Sequence, residues 1–189
     1  MSTNIMIVGV GGQGSLLASK ILGHLLLNQG LDVKVSEVHG MSQRGGNVVT
    51  YAKFGDKVYS PVINRGEADM IVSFETLEAA RWVDCLKPEG TIIVSTQRID
   101  PMPVITGAAS YPEELVEKMK DRGFVVEAID GLGLAEQAGS AKAVNLVLMG
   151  VLSKHFDFPE SAWLEAIDVC VPKKLLELNH KAFQLGRSL

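Results

Sequence analysis

The feature that most constrains the fold of this chain is a glycine-rich segment near its start, Gly9-Val10-Gly11-Gly12-Gln13-Gly14, which follows the pattern G-x-G-x-x-G. A short apolar run at 4–8 precedes it, and a helical stretch at 15–29 follows it. Short apolar runs are typical of buried parallel strands, and glycines permit the tight turn from such a strand into a helix. The segment therefore predicts a strand, a glycine loop and a helix at the ligand edge of an α/β sheet.

The rest of the chain repeats this alternation of apolar runs and helical stretches. Further strands are predicted at 32–38, 48–54, 68–74, 91–95 and 124–129, and further helices at 75–86, 113–122, 134–155, 159–170 and 173–185. Strands that alternate with helices indicate a mainly parallel sheet with helices on both faces. The predicted fold class is therefore α/β, a three-layer α/β/α arrangement around a mainly parallel, Rossmann-like sheet.

One segment departs from the parallel pattern and makes the predicted sheet mixed. Gly55-Asp56 separates the run at 48–54 from a further run at 57–62, which is the signal of a two-residue turn between antiparallel strands. This predicts a β-hairpin insertion. The length of 189 residues suits one domain. We expect a single domain over 1–189 with a helical C-terminal part at about 134–189.

Composition and charge argue against several classes of function. Hydrophobic residues make up 47% of the chain and its net charge is −4, so a core can form and a nucleic-acid partner, which usually requires a basic surface, is not expected. No apolar run approaches the roughly 20 residues of a membrane span, and no signal peptide is apparent, so we expect a cytoplasmic protein. Two cysteines, Cys85 and Cys170, are too few to hold a four-cysteine iron–sulfur cluster within this chain.

The glycine loop itself predicts a binding site for a phosphate or a carboxylate. Glycines allow a ligand to approach closely, and the start of the following helix offers free amide groups and a partial positive charge. An NAD-binding fold would also need an acid at the end of the second strand, and Glu37 stands there. Glu37 is therefore a candidate for binding ribose hydroxyls.

A second glycine-rich loop follows at once and conflicts with the NAD interpretation. It runs His39-Gly40-Met41-Ser42-Gln43-Arg44-Gly45-Gly46 and would crowd the place where an adenosine should lie. Arg44 and the flanking glycine amides could instead clamp a carboxylate, a phosphate or an acidic side chain of a partner. We predict that both loops, together with Asn145 on an apolar helix, face a ligand or a partner. No residue is assigned a catalytic step.

These two loops, in this order, resemble a known family. The segments "IVGVGGQG" and "SEVHGMSQRGG", with similar blocks at 59–81, 86–96 and 143–153, resemble the gamma-subunit family of 2-oxoacid:ferredoxin oxidoreductases. The second loop is similar to that of the beta subunits of its indolepyruvate branch. The resemblance implies an oxidoreductase complex that converts a 2-oxoacid and coenzyme A to an acyl-CoA and CO₂ and passes the electrons to ferredoxin.

The resemblance also implies how the work is divided between subunits. Thiamine diphosphate, Mg²⁺ and iron–sulfur clusters are expected in a larger alpha subunit, with coenzyme A as a possible contact of this chain. Metal sites are not expected here, and the nearest thing to a thiamine motif is Asp130-Gly131, which lacks the leading glycine. The isolated chain is expected to be inactive and could form homodimers.

Two alternatives remain open at the level of sequence. One is a stand-alone NAD(P)-binding oxidoreductase, which Gly9, Gly11, Gly14 and Glu37 would support. The other is a binding module without chemistry that holds coenzyme A or another phosphate compound near the two glycine loops.

Overall fold

A computed structural model describes residues 2–39 and 46–189, and for His39 the backbone alone. This part of the chain contains six strands: β1 (Ser2–Val10), β2 (Asp32–His39), β3 (Asn47–Gly55), β4 (Ala68–Ser73), β5 (Leu86–Ser95) and β6 (Val125–Ile129). Its helices are α1 (Ser15–Asn28), α2 (Thr76–Trp82), α3 (Met102–Ile105), α4 (Leu115–Asp121), α5 (Gly131–Ala138), α6 (Val144–Leu152), α7 (Glu160–Cys170) and α8 (Leu176–Arg187). None of these helices is both long and apolar enough to cross a lipid bilayer.

The strands form one mixed sheet in the order β2-β3-β1-β4-β5-β6. β1, β4, β5 and β6 are parallel neighbours, whereas β3 runs antiparallel to both β1 and β2. Because β2 is antiparallel to β3, it runs in the same direction as β1. The carboxyl ends of β1, β2 and β4 therefore lie on the same edge of the sheet, where both glycine loops begin.

Both faces of the sheet are covered, which confirms the predicted three-layer fold. Ile5 and Ile7 of β1 point into a core with α1 and α5 to α8, whereas Met6 and Val8 point into a second core with α2 and α4. Alternate residues of a strand point to opposite faces, so a strand buried on both faces reads as a continuous apolar run. This is the physical basis of the apolar run at 4–8.

The predicted hairpin at 48–62 is wrong in its second half. Residues 57–62 form no strand, and the antiparallel partners of β3 are β2 and β1. A strand has two hydrogen-bonding edges, and β3 uses both of them, so no edge remains for 57–62. That segment is held instead by the Asp32 carboxylate, which accepts a hydrogen bond from the Val58 amide at 2.9 Å.

The long helix predicted at 134–155 is divided in two. α5 ends at Ala138, because the next residue, Gly139, adopts a φ of +123°. α6 begins at Val144 after a short 3₁₀ turn. The Ser140 hydroxyl accepts a hydrogen bond from the Lys142 amide and caps this turn. Gly139-Ser140 is thus a helix stop followed by a new start.

Candidate functional site

The glycine loop lines a pocket of about 380 Å³ at the carboxyl edge of the sheet. Its walls are Gly11, Gly12, Gly14, Ser15, Leu16, Glu37 and Val48. The loop ends at Gly14, which adopts φ +88° and directly precedes the first turn of α1. The first amides of an α-helix have no partner within the helix, so this turn offers hydrogen-bond donors next to the pocket.

Glu37, at the end of β2, lines the same pocket. The Thr50 hydroxyl of β3 lies 3.4 Å from the Glu37 carboxylate and donates to it. In a dinucleotide fold the strand that carries this acid lies next to β1. Here β3 stands between the two strands and sets the acid one strand further away. The strand order therefore argues against the stand-alone NAD(P) alternative.

The two predicted loops meet in the structure. The Gly11 amide donates to the Gly46 carbonyl at 2.8 Å, which joins the first loop to the end of the second. The other predicted members of the second loop, namely Gly40, Met41, Ser42, Gln43, Arg44, Gly45 and the side chain of His39, lie outside the described residues. Of the predicted residues, Gly11, Gly12, Gly14 and Glu37 line one pocket. Gly46 contacts the first loop through its hydrogen bond with Gly11.

Three predicted site residues make contacts behind the first glycine loop, with the core of the fold. Gly9 lies in β1, Gln13 turns its side-chain amide toward β4, and Asn145 is buried in α6. The Asn145 side-chain amide donates to the Gly14 carbonyl at 3.3 Å, while its oxygen accepts from the Leu146 amide. Gln13 and Asn145 connect the loop to β4 and to α6, and none of the three residues lines the pocket.

A buried carboxylate next to this edge was missed by the sequence analysis. Glu75 follows β4 and is almost fully buried, and it caps α2 by accepting from the Glu78 amide at 2.8 Å. Its other oxygen accepts from the Tyr111 hydroxyl at 2.5 Å and from the Ile99 amide at 3.3 Å. The sequence offered little signal for it, because the usual N-cap residues are Ser, Thr, Asp and Asn and a glutamate is not among them.

This carboxylate changes the acidity of its neighbours. Burial, together with the hydrogen bond to Glu75, raises the pKa of Tyr111 well above its usual range. Burial also raises the pKa of Glu78, although the guanidinium of Arg81 at 3.1 Å opposes that shift. Glu78 belongs to α2, and the Tyr111 hydroxyl accepts from the Leu77 amide in the first turn of that helix. Neither residue lines the glycine pocket.

The segment closest to a thiamine motif, Asp130-Gly131, has a structural role in this chain. The Asp130 carboxylate accepts from the Gly133 amide at 2.9 Å and thereby caps α5. Within residues 2–39 and 46–189, no three His, Cys, Asp or Glu side chains gather into a cluster suited to a metal ion. Asp130-Gly131 is a helix start in this chain.

Comparison with known proteins identifies the family. Residues 4–189 match the family described as pyruvate ferredoxin/flavodoxin oxidoreductase. The chain is 43% identical over 190 residues to indolepyruvate oxidoreductase subunit IorB of Thermococcus kodakarensis, covering 97% of this chain and 93% of that one. It is 37% identical over 190 residues to the subunit of the same name from Archaeoglobus fulgidus, covering 98% and 94% of the two chains.

Solved structures show that the fold is shared more widely. The keto/oxoacid ferredoxin oxidoreductase gamma subunit of Geobacter sulfurreducens is similar with a TM-score of 0.73 at 22% identity, over 98% of this chain and 96% of that one. A 2-oxoglutarate:ferredoxin oxidoreductase of Magnetococcus marinus is similar with a TM-score of 0.78 at 20% identity, over 99% of this chain but 30% of that longer one. The expected resemblance is confirmed, and the chain belongs to the pyruvate ferredoxin/flavodoxin oxidoreductase family.

Proposed function

We propose that this chain is the small subunit of a 2-oxoacid:ferredoxin oxidoreductase of the indolepyruvate type. The observation that carries the proposal is the 43% identity, over nearly the whole chain, to an indolepyruvate oxidoreductase subunit. The complex would decarboxylate an aryl pyruvate, transfer the acyl group to coenzyme A and pass the electrons to ferredoxin. The chain is also 30% identical to a 2-oxoglutarate synthase subunit KorC, so the experiment must distinguish indolepyruvate from 2-oxoglutarate as the substrate.

The cofactors belong, in this proposal, to a larger partner subunit. Thiamine diphosphate with its Mg²⁺ supplies the carbanion chemistry, and iron–sulfur clusters carry the electrons. The helix-capping role of Asp130 in this chain supports placing them in the partner. The contribution of this chain is to complete the active-site complex from the carboxyl edge of its sheet, where the two glycine loops meet.

Co-expression with the partner subunit tests the proposal. The complex should reduce a redox dye in a reaction that depends on both indolepyruvate and coenzyme A, and each subunit alone should be inactive. Equal activity of the partner without this chain would contradict the proposal. Faster turnover of 2-oxoglutarate than of indolepyruvate would contradict the assigned substrate class.

A second candidate function, contact with coenzyme A, is favoured by the pocket itself. The first turn of α1 offers amide donors to a phosphate at one side of the pocket. At the other side, the carboxylate of Glu37 suits a donor such as a ribose hydroxyl or an amide, and it would repel a phosphate. A molecule that combines phosphates with hydroxyl and amide groups fits both sides.

Calorimetry of the complex with coenzyme A tests this contact. We expect Gly12→Asp, which adds a like charge next to the bound phosphate, to weaken binding about tenfold or more, the equivalent of roughly 1.4 kcal/mol. Arg44→Ala decides whether Arg44 clamps the same molecule. Unchanged affinity for coenzyme A in both variants would contradict this contact and would favour binding of the partner subunit at the glycine pocket.

A further inference from the structure

The side chain of Gln13 connects the carboxyl ends of three neighbouring parallel strands. Its oxygen accepts from the Val10 amide at the end of β1 at 2.7 Å. Its nitrogen donates to the Phe74 carbonyl after β4 at 3.0 Å and lies 3.3 Å from the Gln97 side-chain oxygen after β5. We infer that Gln13 is a positioning residue, which sets the shape of the glycine pocket without touching its ligand.

The chemistry of the contacts explains why an amide is required at this position. The Val10 amide needs an acceptor, whereas the Phe74 carbonyl needs a donor, and a primary amide presents one of each on a single planar group. A carboxylate of the same shape would accept from Val10 but would face the Phe74 carbonyl without a proton. A methionine of similar length would satisfy neither group.

The neighbouring glycine makes room for this amide. A Cβ atom at Gly9 would lie 2.8 Å from the Gln13 oxygen and 3.0 Å from the Phe74 ring. The first glycine of the motif therefore serves the contact between β1, Gln13 and β4, and it does not line the pocket. The pocket walls begin at Gly11 and do not include the Gln13 side chain.

The consequence concerns the site proposed above for coenzyme A. Gln13 holds Val10 and Phe74 together, and Asn145 holds Gly14, so the loop is fixed at its start and at its end. The amides of the pocket are thereby set in place before a ligand arrives, which lowers the entropic cost of binding. Loss of the Gln13 contacts should weaken ligand binding more than it slows turnover of the bound complex.

The first test is hydrogen exchange of the Val10 amide, measured by NMR on the full chain without a partner. We expect Gln13→Met to accelerate this exchange about tenfold or more, because a hydrogen bond of about 1 to 1.5 kcal/mol is lost. Gln29→Glu, an exposed change beyond the other end of α1, is the control and should leave the exchange unchanged. Unchanged exchange in Gln13→Met would overturn the inference.

The second test uses Gln13→Glu and pH. Above the pKa of the introduced carboxyl, the carboxylate cannot donate to Phe74 and is repelled by that carbonyl oxygen. The side chain should therefore turn away from Val10 as well, and the Val10 exchange should be fast. At lower pH the protonated carboxyl can donate, and protection, corrected for the intrinsic pH dependence of exchange, should return toward that of the unchanged chain. Gln13→Met has no such proton and should show no recovery. The same lack of recovery in Gln13→Glu would contradict the positioning role.

The third test connects the inference to the proposed function, on which it rests. In the co-expressed complex we expect Gln13→Met to raise the KM for coenzyme A about tenfold while kcat changes less than about twofold. An unchanged KM, or a fall in kcat at unchanged KM, would overturn the link to ligand binding. A complex of unchanged sequence that does not use indolepyruvate would refute the proposed function, while the exchange measurements would still decide the role of Gln13.

Discussion

At the scale of single residues, two glycines of the first loop look equivalent in sequence but differ in their surroundings. Gly12 and Gly14 both adopt positive φ angles, +100° and +88°. A Cβ atom at Gly12 would meet nothing within 4 Å, whereas one at Gly14 would lie 2.6 Å from the side-chain nitrogen of Asn145. Gly12 is therefore required by backbone conformation alone, and Gly14 also by the close approach of α6.

Alanine at these two positions should have different costs. Gly12→Ala should lower the free energy of unfolding by about 1–2 kcal/mol, the strain of a left-handed residue with a Cβ. Gly14→Ala should add to that strain about 1–3 kcal/mol, because it displaces the buried Asn145 amide. Urea unfolding of both variants measures the difference. Equal losses would show that Asn145 moves aside without cost.

The buried contact between Tyr111 and Glu75 has an effect on stability that depends on pH. Tyr111→Phe should lower the free energy of unfolding by about 1–3 kcal/mol at pH 7, since one hydrogen bond to a buried carboxylate is lost. The pKa of Tyr111 is higher in the folded chain than in the unfolded chain, so its contribution is complete below about pH 10 and is lost as pH rises above that value.

Urea midpoints between pH 8 and pH 11 test this dependence. The unchanged chain should lose stability above about pH 10 more steeply than Tyr111→Phe, so the two should converge. Tyr59→Phe is the control, because Tyr59 is 89% exposed and should not alter the profile. Parallel profiles for the unchanged chain and Tyr111→Phe would contradict the assignment.

At the scale of elements, α6 and α8 cross with their backbones in contact. A Cβ atom at Gly150 of α6 would lie 2.1 Å from the Phe183 carbonyl, and one at Gly186 of α8 would lie 1.9 Å from the Val147 carbonyl. Both obstructing atoms belong to backbone, which cannot rotate away. The crossing brings the C-terminal helix onto the core that α6 shares with the sheet.

Alanine at Gly186 should force these helices apart. We expect Gly186→Ala to lower the free energy of unfolding by about 1–3 kcal/mol or more, the usual cost of overpacking. Gly23→Ala is the matched control, because Gly23 lies inside α1 with only Val35 near its Cβ position, at 3.9 Å. That variant should be more stable by roughly 0.5–1 kcal/mol, owing to better helix propensity. Thermal unfolding should show a lower midpoint for Gly186→Ala and a higher midpoint for Gly23→Ala than for the unchanged chain. An unchanged midpoint in Gly186→Ala would contradict the close backbone contact between α6 and α8.

At the scale of the whole molecule, the sheet is shared by two cores that each contain one tryptophan. Trp163 of α7 is fully buried in the core with Ile5 and Ile7, whereas Trp82 of α2 packs against the core with Met6 and Val8. The two cores meet through alternate residues of the same strands. Unfolding one face would expose the sheet to water, so we propose that the chain unfolds as one unit, as expected for a single domain.

Two variants with one tryptophan each test this cooperativity. In Trp82→Phe the fluorescence of Trp163 reports one core, and in Trp163→Phe the fluorescence of Trp82 reports the other. Within each variant, the urea midpoint from fluorescence should equal the midpoint from far-ultraviolet circular dichroism. Two separated transitions in either variant would show that the two layers unfold independently.

Local patterns were enough to predict most elements and the family of this chain. The apolar run at 4–8, the glycine motif after it and the helical stretch at 15–29 each reflect forces that act between residues close in sequence. For the same reason, β1 and α1 were predicted close to their observed bounds. The loops that resemble the oxidoreductase family are continuous segments as well, so local sequence was sufficient to predict the membership that the comparisons confirm.

The pairing of the strands and the orientation of the side chains depend instead on long-range contacts. The turn at Gly55-Asp56 indicated a partner for β3 at 57–62, but β1 and β2, distant in sequence, occupy both of its edges. Likewise, Gln13 belongs to a loop that predicts ligand contact, yet its amide bonds to Phe74, which reaches it only because β4 lies beside β1. Both outcomes depend on contacts between residues far apart in the chain, and a local pattern holds no information about them.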